Sequence, residues 1–185
     1  HRRLAKREGE TLSGQLDFVL KDMRKPFAHD EFDGVICLGV TFGYFTEAEN
    51  LATLKAMAQA LKVGGTLLIE SDNPLDLMPG WVDETVKLPN IGQLVMRRRF
   101  NCQEGAYEGL FHLERDNGEK VMLQRQEGVP WDERIRIYKS EELLEMAAAV
   151  GLAVNNFWGS ATLPLQPYGS KSSRLVLEAT KVSSL

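Results

Sequence analysis

The stretch from Phe32 to Ser71 sets the tightest limit on what this chain can fold into. "FDGVICLGV", Phe32 to Val40, is a β-type apolar run of the kind buried on both faces of a parallel sheet. "TEAENLATLKAMAQALKVGG" follows it. Thr46 and Glu49 match a capping box, in which each side chain satisfies an orphan amide of a first helical turn. Leu51, Leu54, Ala58 and Leu61 recur at helical spacing. The helix should end near Leu61–Lys62, with Gly64 and Gly65 supplying the left-handed conformation that stops it and turns the chain back. "TLLIES" is then a second buried strand that halts at an acid. Strand, helix, strand predicts a βαβ unit with a right-handed crossover.

The flanking segments extend this pattern. His1 to about Gly14 is charged, with helical composition and a glycine at its end. "LDFVL", Leu16 to Leu20, predicts a strand, and "KDMRKPF" a loop. Asn73 to Pro89 holds three prolines and a glycine without a clean period, which predicts a loop with room for a short helix. From Gly92 to Tyr138 the pattern alternates. "QLVMRRRFN", "AYEGLFHLER", "KVMLQRQE" and "RIRIYK" predict antiparallel strands, with Asp116–Asn117–Gly118 as the turn between the second and third. Ser140 can then cap "EELLEMAAAV", and Gly151 can end that helix. "LAVNNFWG" and "SRLVLEATK" predict two closing strands, joined by the long loop "SATLPLQPYGSKS".

Composition narrows the function classes. The 185 residues suffice for one domain with a real core, and 43% hydrophobic with 26% charged residues is ordinary for a soluble globular protein. A net charge of -4 argues against a nucleic-acid footprint. Arg97–Arg98–Arg99 is the only dense basic cluster and reads as the wet face of a strand or helix. Cys37 and Cys102 lack metal-ligand or redox spacing and read as reduced thiols, which predicts a cytoplasmic protein. His1, His29 and His112 are scattered, so no metal site is expected. No apolar run approaches the ~18 residues of a membrane span, and no apolar core follows the basic start as it would in a signal peptide.

The chain resembles class I S-adenosylmethionine-dependent methyltransferases, in their small-molecule branch. "LDFVLKDMRKPF" resembles the family's third strand and the acid after it. "FDGVICLGVTFGYF" resembles the fourth strand and its loop, and "NLATLKAMAQALKVGGTLLIES" the next helix, Gly-Gly turn and fifth strand. "RIYKSEELLEMAAAVGL" through "SRLVLEATK" resembles the last helix and closing hairpin. Val63 stands where many relatives have proline. The resemblance implies an α/β fold: a Rossmann-like sheet with the family's strands three to seven present and an antiparallel β region inserted after strand five. The expected division is a partial core at 1–72, the inserted acceptor-side region at 73–138, and a helix plus hairpin of the core at 139–185. The family's glycine-rich loop, D-x-G-x-G-x-G, has no counterpart here, nor do strand two and its ribose-binding acid. The first third of the fold is therefore expected to be missing. In the family order 3-2-1-4-5-7-6, this leaves strand four as an apolar edge and only one wall of the cofactor crevice. A further N-terminal segment, a partner chain or a swapped second copy is expected to complete the sheet.

The resemblance also implies roles. Asp22 would accept from the adenine amino group and the Met23 amide would reach the ring. Leu38 and Gly39 would lie beside the methionine part of the cofactor. Phe42, Tyr44, Trp158 and Tyr168 would sit in loops at the carboxyl edge of the sheet, and Arg136 and Tyr138 at the end of the inserted region, where they could wall an acceptor pocket. Each of these six also has a plain reading as core or strand-face structure. No general base stands out, and methyl transfer from a sulfonium needs none. "SDNP", Ser71 to Pro74, only loosely resembles the N-P-P-[YF] signature of amino-methylating nucleic-acid enzymes. The expected activity is methylation of a small molecule with S-adenosylmethionine as cofactor. The competing expectations are a non-catalytic methyltransferase-like subunit that binds a partner chain and, lower, half of a nicotinamide dehydrogenase.

Overall fold

The computed structural model describes residues 17–77, 79–122 and 130–183. Strand β1 (Phe32–Cys37) leads to helix α1 (Glu47–Ala60) and strand β2 (Leu61–Asp72). β1 and β2 pair in parallel, with Gly34 opposite Thr66 and Cys37 opposite Ile69. Thr46 caps α1 in the expected capping box with Glu49. Near the end of the chain come α2 (Ser140–Ala149), β8 (Leu152–Trp158) and β9 (Arg174–Lys181). β9 runs antiparallel to both β2 and β8 and lies between them, so the first sheet has the order β1-β2-β9-β8.

The core lies between this sheet and the two helices. Leu54, Met57 and Ala58 of α1 and Leu143 and Ala147 of α2 meet Leu67, Ile69, Leu175 and Leu177 of the central strands. β2 buries its odd-numbered residues from Gly65 to Ser71, while the even-numbered ones are half-buried. β1 differs from expectation: only Cys37 is fully buried and Ile36 is 66% exposed. A strand buried on both faces needs a layer on each. Among the described residues, α1 covers one face of β1 and β2 takes one edge.

The second sheet is antiparallel. It comprises β3 (Gly80–Leu88), β4 (Gly92–Asn101), β5 (Ala106–Arg115), β6 (Lys120–Met122) and β7 (Glu133–Arg136), with β6 and β7 both pairing with β5. Gly118, with φ of 84°, makes the β5–β6 turn predicted from Asp-Asn-Gly. Of the predicted strand "KVMLQRQE", Leu123 to Glu127 lie outside the described residues. Arg97, Arg98 and Arg99 pair with Asp83, Glu84 and Glu108 on neighbouring strands; Arg97 is exposed as a wet strand face predicts, whereas Arg98 and Arg99 are half-buried and Glu108 is buried.

Other departures have local causes. The region expected to be a loop contains β3, which pairs with β4 over nine consecutive positions. Val82 and Val86 alternate with Asp83 and Thr85 there, and Pro79 and Pro89 merely bound the strand. Residues 17–20 form no strand and Phe18, Val19 and Leu20 are exposed. A strand exists through its ladder partner, and residues 17–20 belong to neither described sheet. Leu16, the first residue of that expected strand, and His1 to Gly14 lie outside the described residues. The Gly-Gly pair does not end α1. The helix stops at Ala60, Leu61 is already extended, and pairing with β1 jumps from Leu61 to Thr66. Gly64 (φ 86°) makes that irregularity, and a side chain at Gly65 would approach the Lys62 carbonyl oxygen to 2.9 Å. Ser140 is the first residue of α2, one past the cap position at Lys139, and Gly151 ends the helix with φ of 69° as expected.

Candidate active site

Parallel strands gather ligands at their carboxyl ends. β1 ends at Cys37, and Leu38 to Thr41 turn sharply beyond it. Thr41 Oγ1 donates to the Leu38 carbonyl at 2.6 Å. Gly39 and Val40 follow one another with φ of 73° and 58°. The left-handed conformation costs glycine little, but it strains a β-branched valine. The Gly39 amide donates to Glu70 Oε2 at 2.9 Å. Arg174 on β9 bridges Glu70 at 3.4 Å and Asp72 more closely, so the acid that ends β2 is clamped beside the β1 turn.

Asp22 and Met23 lie in the segment before β1. Both Asp22 carboxylate oxygens accept from Arg24, whose guanidinium also donates to Glu49 at 2.6 Å and stacks over Phe45 at 4.7 Å. The side-chain hydrogen bond from Arg24 holds the Asp22 carboxyl down at about 2. A groove of about 450 Å³ runs beside these residues, walled by Val19, Met23, Phe27 and Phe32.

The inserted sheet closes over the end of β2. Tyr107 on β5 stands beside Asp72; burial, then that carboxylate, push the phenol well above its ordinary range. Beneath this contact is a cavity of about 280 Å³ lined by Asp72, Leu77, Val82, Glu84, Arg98 and Phe100. Val40 of the β1 turn and Leu77 pack with Phe100, Ile135 and Ile137 beside it.

The same layout is found in solved structures. The CcbJ methyltransferase of Streptomyces caelestis superposes with a TM-score of 0.68 at 16% identity, covering 89% of this chain and 63% of its own. An S-adenosylmethionine-dependent methyltransferase from Clostridium acetobutylicum gives 0.69 at 13% identity, covering 98% of this chain and 71% of its own. The amino pentose methyltransferase CalS10 of Micromonospora echinaspora gives 0.59 at 22% identity, covering 87% of this chain and 63% of its own. The fold is that of the class I S-adenosylmethionine-dependent methyltransferases. The order β1-β2-β9-β8 reproduces that fold's 4-5-7-6, with reversed strand seven between five and six. This chain spans less than two thirds of the first of these structures. No protein-family model matches the chain, and no curated protein matches it in sequence.

Within this methyltransferase fold, the residues expected to contact the cofactor fall in two places. Leu38 and Gly39 form the turn after β1, and a side chain at Gly39 would meet nothing within 4 Å, so open space faces it. Asp22 and Met23 border the groove described above, with Met23 backing onto the core. The six acceptor-side residues divide. Phe42 is buried, its ring 5.5 Å from that of Tyr138. Tyr138, also buried, donates to Glu47 at 2.8 Å and accepts from Asn50 at 2.9 Å. Arg136 binds Glu47, Glu142 and the Gly105 and Ile137 carbonyls. These three residues join the inserted sheet to both helices. A side chain at Gly43 would lie 2.1 Å from the Arg136 carbonyl oxygen, so only glycine lets β7 pass there. Tyr44 is exposed and donates to Glu133 at 2.8 Å, and desolvation followed by that carboxylate push its phenol up to about 12. Trp158 and Tyr168 lie elsewhere: Trp158 is the last residue of β8 and not part of a loop, its Nε1 donating to Glu178 on the neighbouring β9, while the Tyr168 hydroxyl, in the loop between these strands, donates to Asn73 just after β2. Asn73 is wholly buried and also binds the Gly169 and Ser172 carbonyls and the Leu75 amide, so the "SDNP" asparagine pins a loop.

Sequence reasoning passed over Glu70, Asp72, Glu84, Tyr107 and Arg174, and read Arg98 only as part of a wet strand or helix face. Only one signal for them was present, the acid at which the apolar run of β2 stops. Among the described residues no group of three or more His, Cys, Asp or Glu could hold a metal ion, and no helix is long and apolar enough to cross a membrane.

Proposed function

We propose that this chain is part of a cytoplasmic methyltransferase that uses S-adenosylmethionine to methylate a small molecule. The observation that carries the reading is the sheet order β1-β2-β9-β8 with β9 reversed, its carboxyl ends at Gly39 and Asp72 facing the inserted sheet. Asp22 supplies a carboxylate acceptor for an adenine amino group, the groove beside it supplies apolar walls, and the Gly39 turn leaves room for the methionine end. When bound, S-adenosylmethionine supplies a methyl group already activated on a sulfonium. The chain's own residues then have to orient the acceptor and exclude water, which the packed contact of Val40, Leu77 and Phe100 favours. CalS10 is described as an amino pentose methyltransferase and KedS8 as a sugar N-methyltransferase. Those acceptors support the small-molecule reading. The open edge of β1 is completed, in this reading, by strands from a further segment of the protein, a partner chain or a swapped copy.

One observation favours a second reading, a non-catalytic subunit. Two groups expected to touch the cofactor already have partners within the chain: Asp22 holds Arg24, and the Gly39 amide holds Glu70. Titrating the ¹⁵N-labelled chain with S-adenosylmethionine separates the two. Weak, localised amide shifts at Met23, Leu38 and Gly39, reduced in Asp22→Ala, are expected. No shift at these residues at millimolar cofactor would overturn the catalytic reading and leave the subunit reading standing.

A further inference from the structure

The cavity under the inserted sheet has its own chemistry. Its floor is apolar, made by Leu77, Val82 and Phe100, and its volume of about 280 Å³ suits a ring-sized ligand. Its polar groups stand at two points. At one, Asp72 stands beside Tyr107 and shares Arg174 with Glu70. At the other, Glu84 pairs with Arg98 at 2.7 Å. Arg99 reaches the rim, but its charge is met by the buried Glu108 at 2.7 Å, and its guanidinium lies 5.0 Å from the rings of both Trp81 and Trp131. Without that pair, three carboxylates, Asp72 and Glu84 in the lining and Glu70 behind it, stand against two guanidinium groups, Arg98 in the lining and Arg174 behind it.

We propose that this cavity binds a small amine, protonated on entry, with its apolar body on Phe100 and its nitrogen at Asp72. The proposal rests on the reading of this region as the acceptor side of a methyltransferase, and it narrows the acceptor to a nitrogen compound. A carboxylate has about four lone-pair sites, so Asp72 can hold Arg174 and still accept from an ammonium. A hydroxyl ligand could use the same oxygens, and its bond to the carboxylate is also charge-assisted, but it would forgo the ion-pair attraction that an ammonium adds. An anionic ligand would meet the surplus carboxylate, with both guanidinium groups already engaged.

The test uses three probes of one shape: cyclohexylamine, cyclohexanol and cyclohexanecarboxylate, each titrated at neutral pH into the ¹⁵N-labelled chain. Cyclohexylamine should shift the amides of Asp72, Val82, Arg98 and Tyr107, and should bind about tenfold more tightly than cyclohexanol, the gain of an ion pair over a neutral donor. Asp72→Asn should erase most of that preference. Glu84→Gln, at a half-exposed side chain, should reduce it without risk to the fold. Equal binding of the alcohol, tighter binding of the carboxylate, or amine shifts confined to other surfaces would overturn the proposal. None of these probes involves S-adenosylmethionine. Loss of the amine preference therefore leaves the methyltransferase reading intact, and a failed cofactor titration leaves the amine site standing.

Discussion

β1 and β2 are neighbours in one sheet and similar in composition, yet they live in different environments. β2 is flanked by β1 and β9, and Leu61, Leu67 and Ile69 are wholly buried. Among the described residues β1 has β2 on one side only, and Phe32 and Ile36 are exposed. The contrast shows that an apolar β run reports the burial a strand requires, while its neighbours decide how much it receives. An exposed apolar edge is a template for pairing, so the comparison also locates where the molecule is open to completion.

The largest effect should come from truncating the covered strand. Leu67→Ala should lower the unfolding free energy by about 2–5 kcal/mol, through lost burial and the cavity left behind. Ile36→Ala on β1 should cost under about 1 kcal/mol, because most of that side chain is already in water. Denaturant melts of the two variants measure the difference, and equal losses would show that β1 is buried in solution as deeply as β2.

A smaller effect tests the tie between the two strands' surroundings. Lys181 at the end of β9 is wholly buried and donates to Asp30, just before β1, at 2.7 Å and to the Leu61 carbonyl at 2.8 Å. Lys181→Met keeps much of the volume but removes both bonds. Asp30 is partly exposed and can turn to water, so the expected cost is about 1–3 kcal/mol. Amide exchange should rise at Asp30 and Glu31, whose amides donate to Gln59 and Ala60, and remain unchanged in β4 and β5.

The smallest effect is alkaline. Burial pushes the Cys37 thiol up from 9.0 to about 11. The folded chain thus keeps the thiol neutral at a pH where the unfolded chain ionises it. Stability should be unaffected below pH 9 and fall between about pH 9 and 11. Tyr44, also raised by burial, adds a loss of the same sign above pH 10. Thermal melts of wild type and Cys37→Ala across this range should converge as pH rises, since the variant lacks the thiol's share of the slope.

Much of the fold was legible because it rests on local rules. The Thr46–Glu49 capping box, the Asp116–Asn117–Gly118 turn and Gly151 each did locally what their residue types predict. β3 was missed because prolines on either side outweighed its alternating interior. Residues 17–20 were overread because a strand-like composition says nothing of a partner. The Gly-Gly pair was assigned to the helix end although its role lies in the β1–β2 register, which becomes visible only once both strands are placed. The candidate site was least legible. Tyr107 reaches Asp72 only through the register of the whole inserted sheet, and no spacing in the sequence announces that contact.

Among the described residues β1 is an open seam, and the size of the purified 185-residue chain tests most directly whether it stays open in solution. Light scattering combined with intact-mass measurement should find the chain associated with a second copy or another protein, or else without a cooperative unfolding transition. A 20.8 kDa monomer that unfolds cooperatively, with nothing bound along β1, would contradict that expectation.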